Sequence, residues 1–193
     1  MVNLTVLGLG GNGIGAEGAV ALAEALGTMA NLTELDVSKN DIGSKGADAL
    51  AEVLGKMVNL TVLDLEGNDV GELGARRLAL ALGRMTTLSE LDLDQNNIGA
   101  VGAWALAGAL GKLVNLTVLD LAQNLIGAEG ARRLAEPLGK MVNLRVLRLS
   151  GNNIRSEEGA VALAEALDRM VNLTVLGLGG NGIGAEGAVA LAE

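Results

Sequence analysis

The chain has no cysteine, histidine, tyrosine or phenylalanine, and only one tryptophan and one proline. Without Cys and His there can be no Cys–His zinc site, no thiolate nucleophile and no imidazole base of the triad kind. The lack of Cys fits a reducing compartment, so a cytoplasmic location is expected. Positive charge is scarce as well, with 14 Lys and Arg against 23 Asp and Glu and a formal charge of −9. A nonspecific nucleic-acid binder carries the opposite balance, and an anionic bilayer repels such a surface. No nucleic-acid or membrane partner is therefore expected. Long apolar runs are missing too: no segment approaches the roughly 18 unbroken apolar residues of a membrane span. The start of the chain has no basic stretch leading into an apolar run, as a secretory signal would.

What the sequence does have is repetition. Residues 1–24 recur word for word as residues 170–193. Between them, units begin at Asn3, Asn31, Asn59, Thr87, Asn115, Asn143 and Asn172, five steps of 28 residues and one of 29. The extra residue lies in the stretch IRSEEG, Ile154 to Gly159, against IGAEG at Ile126 to Gly130. Asn-Leu-Thr at Asn3, Asn31, Asn59, Asn115 and Asn172 matches a glycosylation pattern, but it is simply the opening of the unit.

Each unit changes period halfway. Its first half alternates, with Leu4, Leu7 and Leu9, or Leu60, Leu63 and Leu65, on the inward side of a strand. Asn12, Asn40, Asn68, Asn96, Asn124, Asn152 and Asn181 then mark a bend, where an amide side chain can satisfy turning backbone and stack into a buried ladder. The second half has helical spacing, as in Ala19, Leu22, Ala23 and Leu26. Gly18 and its six equivalents are expected where backbones approach closely. Gly27, Gly55, Gly83, Gly111 and Gly139 are expected as left-handed helix caps. Pro137 is expected to shorten or bend the fifth helix.

The pattern LxxLxLxxNxIGxxGAxxLAxxL over the whole chain resembles the leucine-rich repeat, and more narrowly its ribonuclease-inhibitor-like class. The resemblance implies a right-handed, curved α/β solenoid with parallel strands on the concave face and helices on the convex face. It also implies a binding scaffold, since that class includes inhibitors, regions of innate immune sensors and GTPase-activating proteins. Curvature has a physical reason as well: strands pack about 4.8 Å apart, whereas helices need roughly 8–10 Å. One domain spanning residues 1–193 is expected. Met1 falls at the repeat position of Met29 and Met57, and Glu193 falls within a helix, so a segment of a longer array or end-to-end association of copies is expected.

GLGGNG at Gly8 to Gly13 matches the dinucleotide fingerprint GxGxxG. Its equivalents DVSKND and DLEGND keep the frame without the glycines, so the stretch reads as a bend and no cofactor is expected. The informative residues appear only when units are stacked. One exposed strand column reads Gly8, Asp36, Asp64, Asp92, Asp120, Arg148 and Gly177; its neighbours contribute Glu34, Glu90, Glu66 and Asp94, with Arg145 near Arg148. This acidic concave face is the expected site for a protein partner, basic in character. The alternative is that the aspartates only fill a repeat position, satisfied by water. A cation held by Asp64, Asp92, Glu66 and Asp94, or a carboxylate pair for acid/base work, is a lesser reading. On the helices, Trp104 stands in the column of Arg76 and Arg132, either of which can reach its ring, and it completes the candidate contact set. Nothing marks Arg76, Arg77, Arg132 or Arg133 as a catalytic arginine of the GTPase-activating branch. No enzyme activity is expected.

Overall fold

The computed structural model describes residues 3–155 and 157–192. Met1, Ser156 of the one-residue insertion and the closing Glu193 lie outside the described residues. Seven three-residue strands alternate with seven helices. The strands are β1 (Val6–Gly8), β2 (Glu34–Asp36), β3 (Val62–Asp64), β4 (Glu90–Asp92), β5 (Val118–Asp120), β6 (Val146–Arg148) and β7 (Val175–Gly177). The helices are α1 (Gly15–Leu26), α2 (Gly43–Leu54), α3 (Gly71–Leu82), α4 (Gly99–Leu110), α5 (Gly127–Leu138), α6 (Glu157–Leu167) and α7 (Gly184–Ala190). All strands lie in one open parallel sheet in chain order, and each pairs with the next in the register of the repeat, as Leu35 with Leu63 and Leu63 with Leu91.

The strand leucines lie in one core with the helix residues Leu50, Leu54, Leu78 and Leu82. Along the stack each helix lies against the next helix and each strand against the next strand. Small residues allow that stacking. A Cβ on Gly46 would stand 2.2 Å from Ile42 Cγ2 and 2.8 Å from Ala19 Cβ of the preceding helix. A Cβ on Gly74 would likewise stand 3.3 Å from the Ser44 Cα, so the glycine column lets the helix start approach both side chains and backbone of the preceding repeat.

The asparagines form the expected ladder. Asn96 Oδ1 accepts from the backbone N–H groups of Asn68 at 3.2 Å and Val70 at 3.3 Å in the repeat before. Its Nδ2 donates to Leu65, Leu93 and Asp94 carbonyls at 2.8–3.1 Å. Asn40, Asn68, Asn124 and Asn152 are equally buried, while Asn12, on the outermost turn, is exposed. Leu4, Leu7 and Leu9 are likewise only partly buried, because no repeat covers them in this structure.

Two local expectations need correction. The glycines after the helices are not left-handed: Gly27, Gly55, Gly83, Gly111 and Gly139 have φ between −57° and −64°. Left-handed backbone instead flanks each ladder asparagine, at Lys39 (φ 53°), Asp41 (φ 54°) and Gly43 (φ 64°) in the second unit. Pro137 does not shorten its helix, since α5 has 12 residues like α1 to α4, and the Gly139 N–H reaches the Ala135 and Pro137 carbonyls.

Candidate interaction surfaces

The strand face brings the acidic columns together as the sequence implied. Asp36, Asp64, Asp92 and Asp120 occupy one register row, which ends on Arg148. Glu34 and Glu90 stand exposed two residues earlier, in register with Val62 between them. Each aspartate also has a structural role that sequence reasoning assigned to water. Its Oδ1 accepts the backbone N–H two residues on: Ser38 at 2.9 Å for Asp36, Glu66 at 2.9 Å for Asp64, Asp94 at 2.9 Å for Asp92 and Ala122 at 3.0 Å for Asp120. The signal was present, because a short acceptor at the end of a strand commonly closes this turn.

That bond leaves the charges close together. Burial, and then the neighbouring carboxylates, push the Asp64 and Asp120 carboxyls above the usual range. At Asp92 the same causes push the pKa to about 6. A backbone N–H opposes the rise at each. Cations compensate only in part. Arg148 donates to Asp120 Oδ2 at 3.3 Å, and Lys39 pairs with Glu66 at 3.1 Å. The Arg145 side chain is exposed. Asp94 Oδ1 is buried without a partner, while its Oδ2 accepts from Gln95 at 3.3 Å. Among the described residues, Asp64, Asp92, Glu66 and Asp94 included, no three or more carboxylates gather into a group that could hold a metal ion.

The glycine-rich stretch at Gly8 to Gly13 is built as a bend. Its left-handed residues are Gly11 (φ 71°) and Gly13 (φ 59°), followed by Gly15 (φ 65°). Three of its backbone N–H groups are already used. Leu9 and Gly11 donate to Asp36 and Ser38 carbonyls at 2.8 Å, and Asn12 donates to Asn40 Oδ1 at 2.9 Å.

On the helix face Trp104 is 63% exposed. The cation over its ring is Arg133, 5.7 Å from the centroid, and neither Arg76 nor Arg132 as the column suggested. Arg132 and Arg133 both bind Glu129 one turn back, with contacts of 2.7–3.0 Å. The strand acids and Trp104 thus belong to opposite sides of the repeat and make two surfaces. Sequence reasoning passed over the exposed Leu73 and Leu80 on α3, which border a groove of about 990 Å³ running over α2, α3 and α4.

A seven-strand parallel sheet with a helix after every strand, locked by one asparagine per turn, defines a strand–helix repeat stack. The leucine-rich repeat family model matches residues 1–23, 28–51, 56–79, 84–107, 112–135, 140–164 and 170–192, and the chain belongs to that family. No curated protein matches the chain. Leucine-rich repeats generally serve as noncatalytic scaffolds that bind other proteins. Among the described residues no helix is long and apolar enough to cross a membrane.

Proposed function

We propose that this protein is a noncatalytic interaction scaffold, of the ribonuclease-inhibitor-like kind and cytoplasmic, whose strand face receives a basic segment of a partner protein. One observation carries the reading: a row of three half-buried or buried aspartates, Asp64, Asp92 and Asp120, with raised pKa values and a single cation at its end. Their Oδ1 atoms are committed to backbone, so Lys or Arg side chains of a partner would meet the remaining oxygens and relieve the mutual repulsion. Glu34, Asp36, Glu66, Glu90 and Asp94 extend the surface, and Arg145 and Arg148 set which end of the partner lies where. Titration with an arginine-rich peptide tests this directly. The Asp64→Asn/Asp92→Asn double variant keeps the backbone acceptors and should weaken binding about tenfold, since one lost charge contact typically weighs on the order of 1 kcal/mol or more. Unchanged binding would overturn the reading.

A second reading has its own support at the stack's outer strands. Leu176 of β7 is 41% exposed, whereas its equivalent Leu147 is 0% exposed. Among the described residues Asn12 Oδ1 accepts no N–H, although each later ladder asparagine accepts two. A flanking repeat or a second copy placed against these strands would continue the single domain of residues 1–193 in the same register. Light-scattering mass that stays monomeric across concentration would remove the self-association form of this reading.

A further inference from the structure

Helices α3 and α5 differ at four of their 12 positions, and two of those differences open a second binding surface. Helix α5 reads GAEGARRLAEPL and is followed by Gly139-Lys140. There Glu129 neutralises Arg132 and Arg133, and Glu136 neutralises Lys140 at 2.7 Å. Helix α3 reads GELGARRLALAL and is followed by Gly83-Arg84. It keeps the cations Arg76, Arg77 and Arg84 but carries Leu73 and Leu80 where α5 has its two glutamates. Both leucines point into solvent, 66% and 67% exposed.

The fourth repeat continues the departure. Gly108 replaces the glutamate found at Glu24, Glu52, Glu136 and Glu165, and Val101 replaces a charged residue. Packing does not demand that glycine, because a Cβ there would meet nothing within 4 Å. Its effect is to leave the groove open beside α3 and to deprive Lys112 of the carboxylate that Lys140 has. Among the described residues Arg77 turns instead to Asp48 at 3.1 Å, while Arg76, Arg84 and Lys112 make no ion pair. Five cations and one carboxylate line the groove, Lys45, Arg76, Arg77, Arg84 and Lys112 against Asp48, in a chain of net charge −9.

We propose that this groove binds an acidic amphipathic helix of another protein. Its apolar residues would cover Leu73 and Leu80, seven positions apart on one helix face. Its carboxylates would supply the charges that Glu129 and Glu136 carry in α5 and that Leu73 and Leu80 do not. The surface is separate from the acidic strand face and selects for partner chemistry of the opposite sign.

The chain's single tryptophan gives the assay its specificity, because no other aromatic side chain contributes to emission. The probe is a synthetic helix of about 15 residues, with leucines seven apart flanked by glutamates, followed by Trp104 emission and by calorimetry. Saturable binding that weakens with salt is expected. The double variant Leu73→Glu/Leu80→Glu rebuilds the ion pairs of α5 within a helix the repeat already tolerates, and it should bind at least tenfold more weakly. The glutamine version of the peptide should weaken similarly, while Asp64→Asn/Asp92→Asn should leave binding intact. Equal affinity of the leucine variant, no heat of binding, or loss on the strand-face substitutions would each overturn the proposal. So would vesicles of anionic lipid binding the protein through these leucines while the peptide does not.

Discussion

Two rows of polar side chains run side by side through the repeats, four residues apart, and they obey opposite physics. The asparagine row is neutral and buried, and each rung hands its Oδ1 to the repeat before it, as Asn68 Oδ1 does to the N–H of Asn40 at 3.0 Å. The aspartate row is charged and partly wet: Asp36 raises the pKa of Asp64, and Asp64 and Asp120 both raise that of Asp92. Repeating a neutral amide adds hydrogen bonds with every unit. Repeating a carboxylate adds repulsion with every unit. The same sequence copying therefore builds a stabilising spine and, beside it, a surface that gains from meeting positive charge.

The largest effect should come from cutting the spine. Asn96→Ala removes the acceptor for two buried N–H groups and the donor for three carbonyls. Leaving such groups unpaired costs about 1–3 kcal/mol apiece, so a loss of about 3 kcal/mol or more is expected in denaturant unfolding. The same change at the exposed Asn12, whose side chain donates to the Leu9 and Gly10 carbonyls, should cost less than about 1 kcal/mol. Equal losses at both positions would dissolve the contrast between a chained rung and a free one.

The aspartate row should respond in the other direction. Asp92→Asn retains an acceptor for the Asp94 N–H and removes a charge from the middle of the row. It should stabilise the fold by about 1–2 kcal/mol at neutral pH. The pH dependence has a definite sign. A folded-state pKa of about 6 exceeds the ordinary aspartate value, so between about pH 4 and pH 6 the folded chain binds the extra proton. The destabilisation from Asp92 is then full above that window and disappears below it. The parent protein should gain stability as pH falls from 7 toward 4, and Asp92→Asn should flatten that gain. A parent more stable at pH 7 than at pH 5, with the variant unchanged, would show that the row carries no repulsive load. The surface pairs of Glu17, Glu129 and Glu136 act the opposite way, their carboxyls held low by Lys45, by Arg132 and Arg133, and by Lys140.

Much of this was legible in the sequence because it is carried by period. The alternating leucines, the switch to helical spacing and the asparagine positions gave strands, helices and ladder, and stacking the units by eye gave the aspartate row and its end at Arg148. Local backbone was less legible. Glycine after a helix reads as a left-handed cap, yet here a right-handed turn already returns the Gly55 N–H to the Ala51 and Val53 carbonyls. Ring contacts were illegible for a related reason: the column put Arg132 beside Trp104, but both Arg132 and Arg133 bind Glu129, and it is Arg133 that lies over the ring. The leucine-bordered groove needed a comparison of unlike repeats, since a consensus averages away Leu73 and Leu80.

The smallest effect tests the turn just after the asparagine row. Leu125 is exposed and holds φ of 57° beside the buried Asn124. The equivalent positions carry Gly13, Asp41, Asp69, Asn97, Asn153 and Gly182, all residues that adopt left-handed backbone more readily than a branched aliphatic side chain. Leu125→Gly should raise stability by about 0.5–1 kcal/mol, the relief of local strain outweighing the greater freedom glycine gives the unfolded chain. Leu125→Asn should give a similar or larger gain with less of that entropic loss. Because Leu125 carries no charge and its side chain is exposed, the gain should be independent of pH and additive with Asp92→Asn. A pH-dependent gain would mean that the turn geometry sets the spacing of the aspartates, joining the two rows into one mechanical unit.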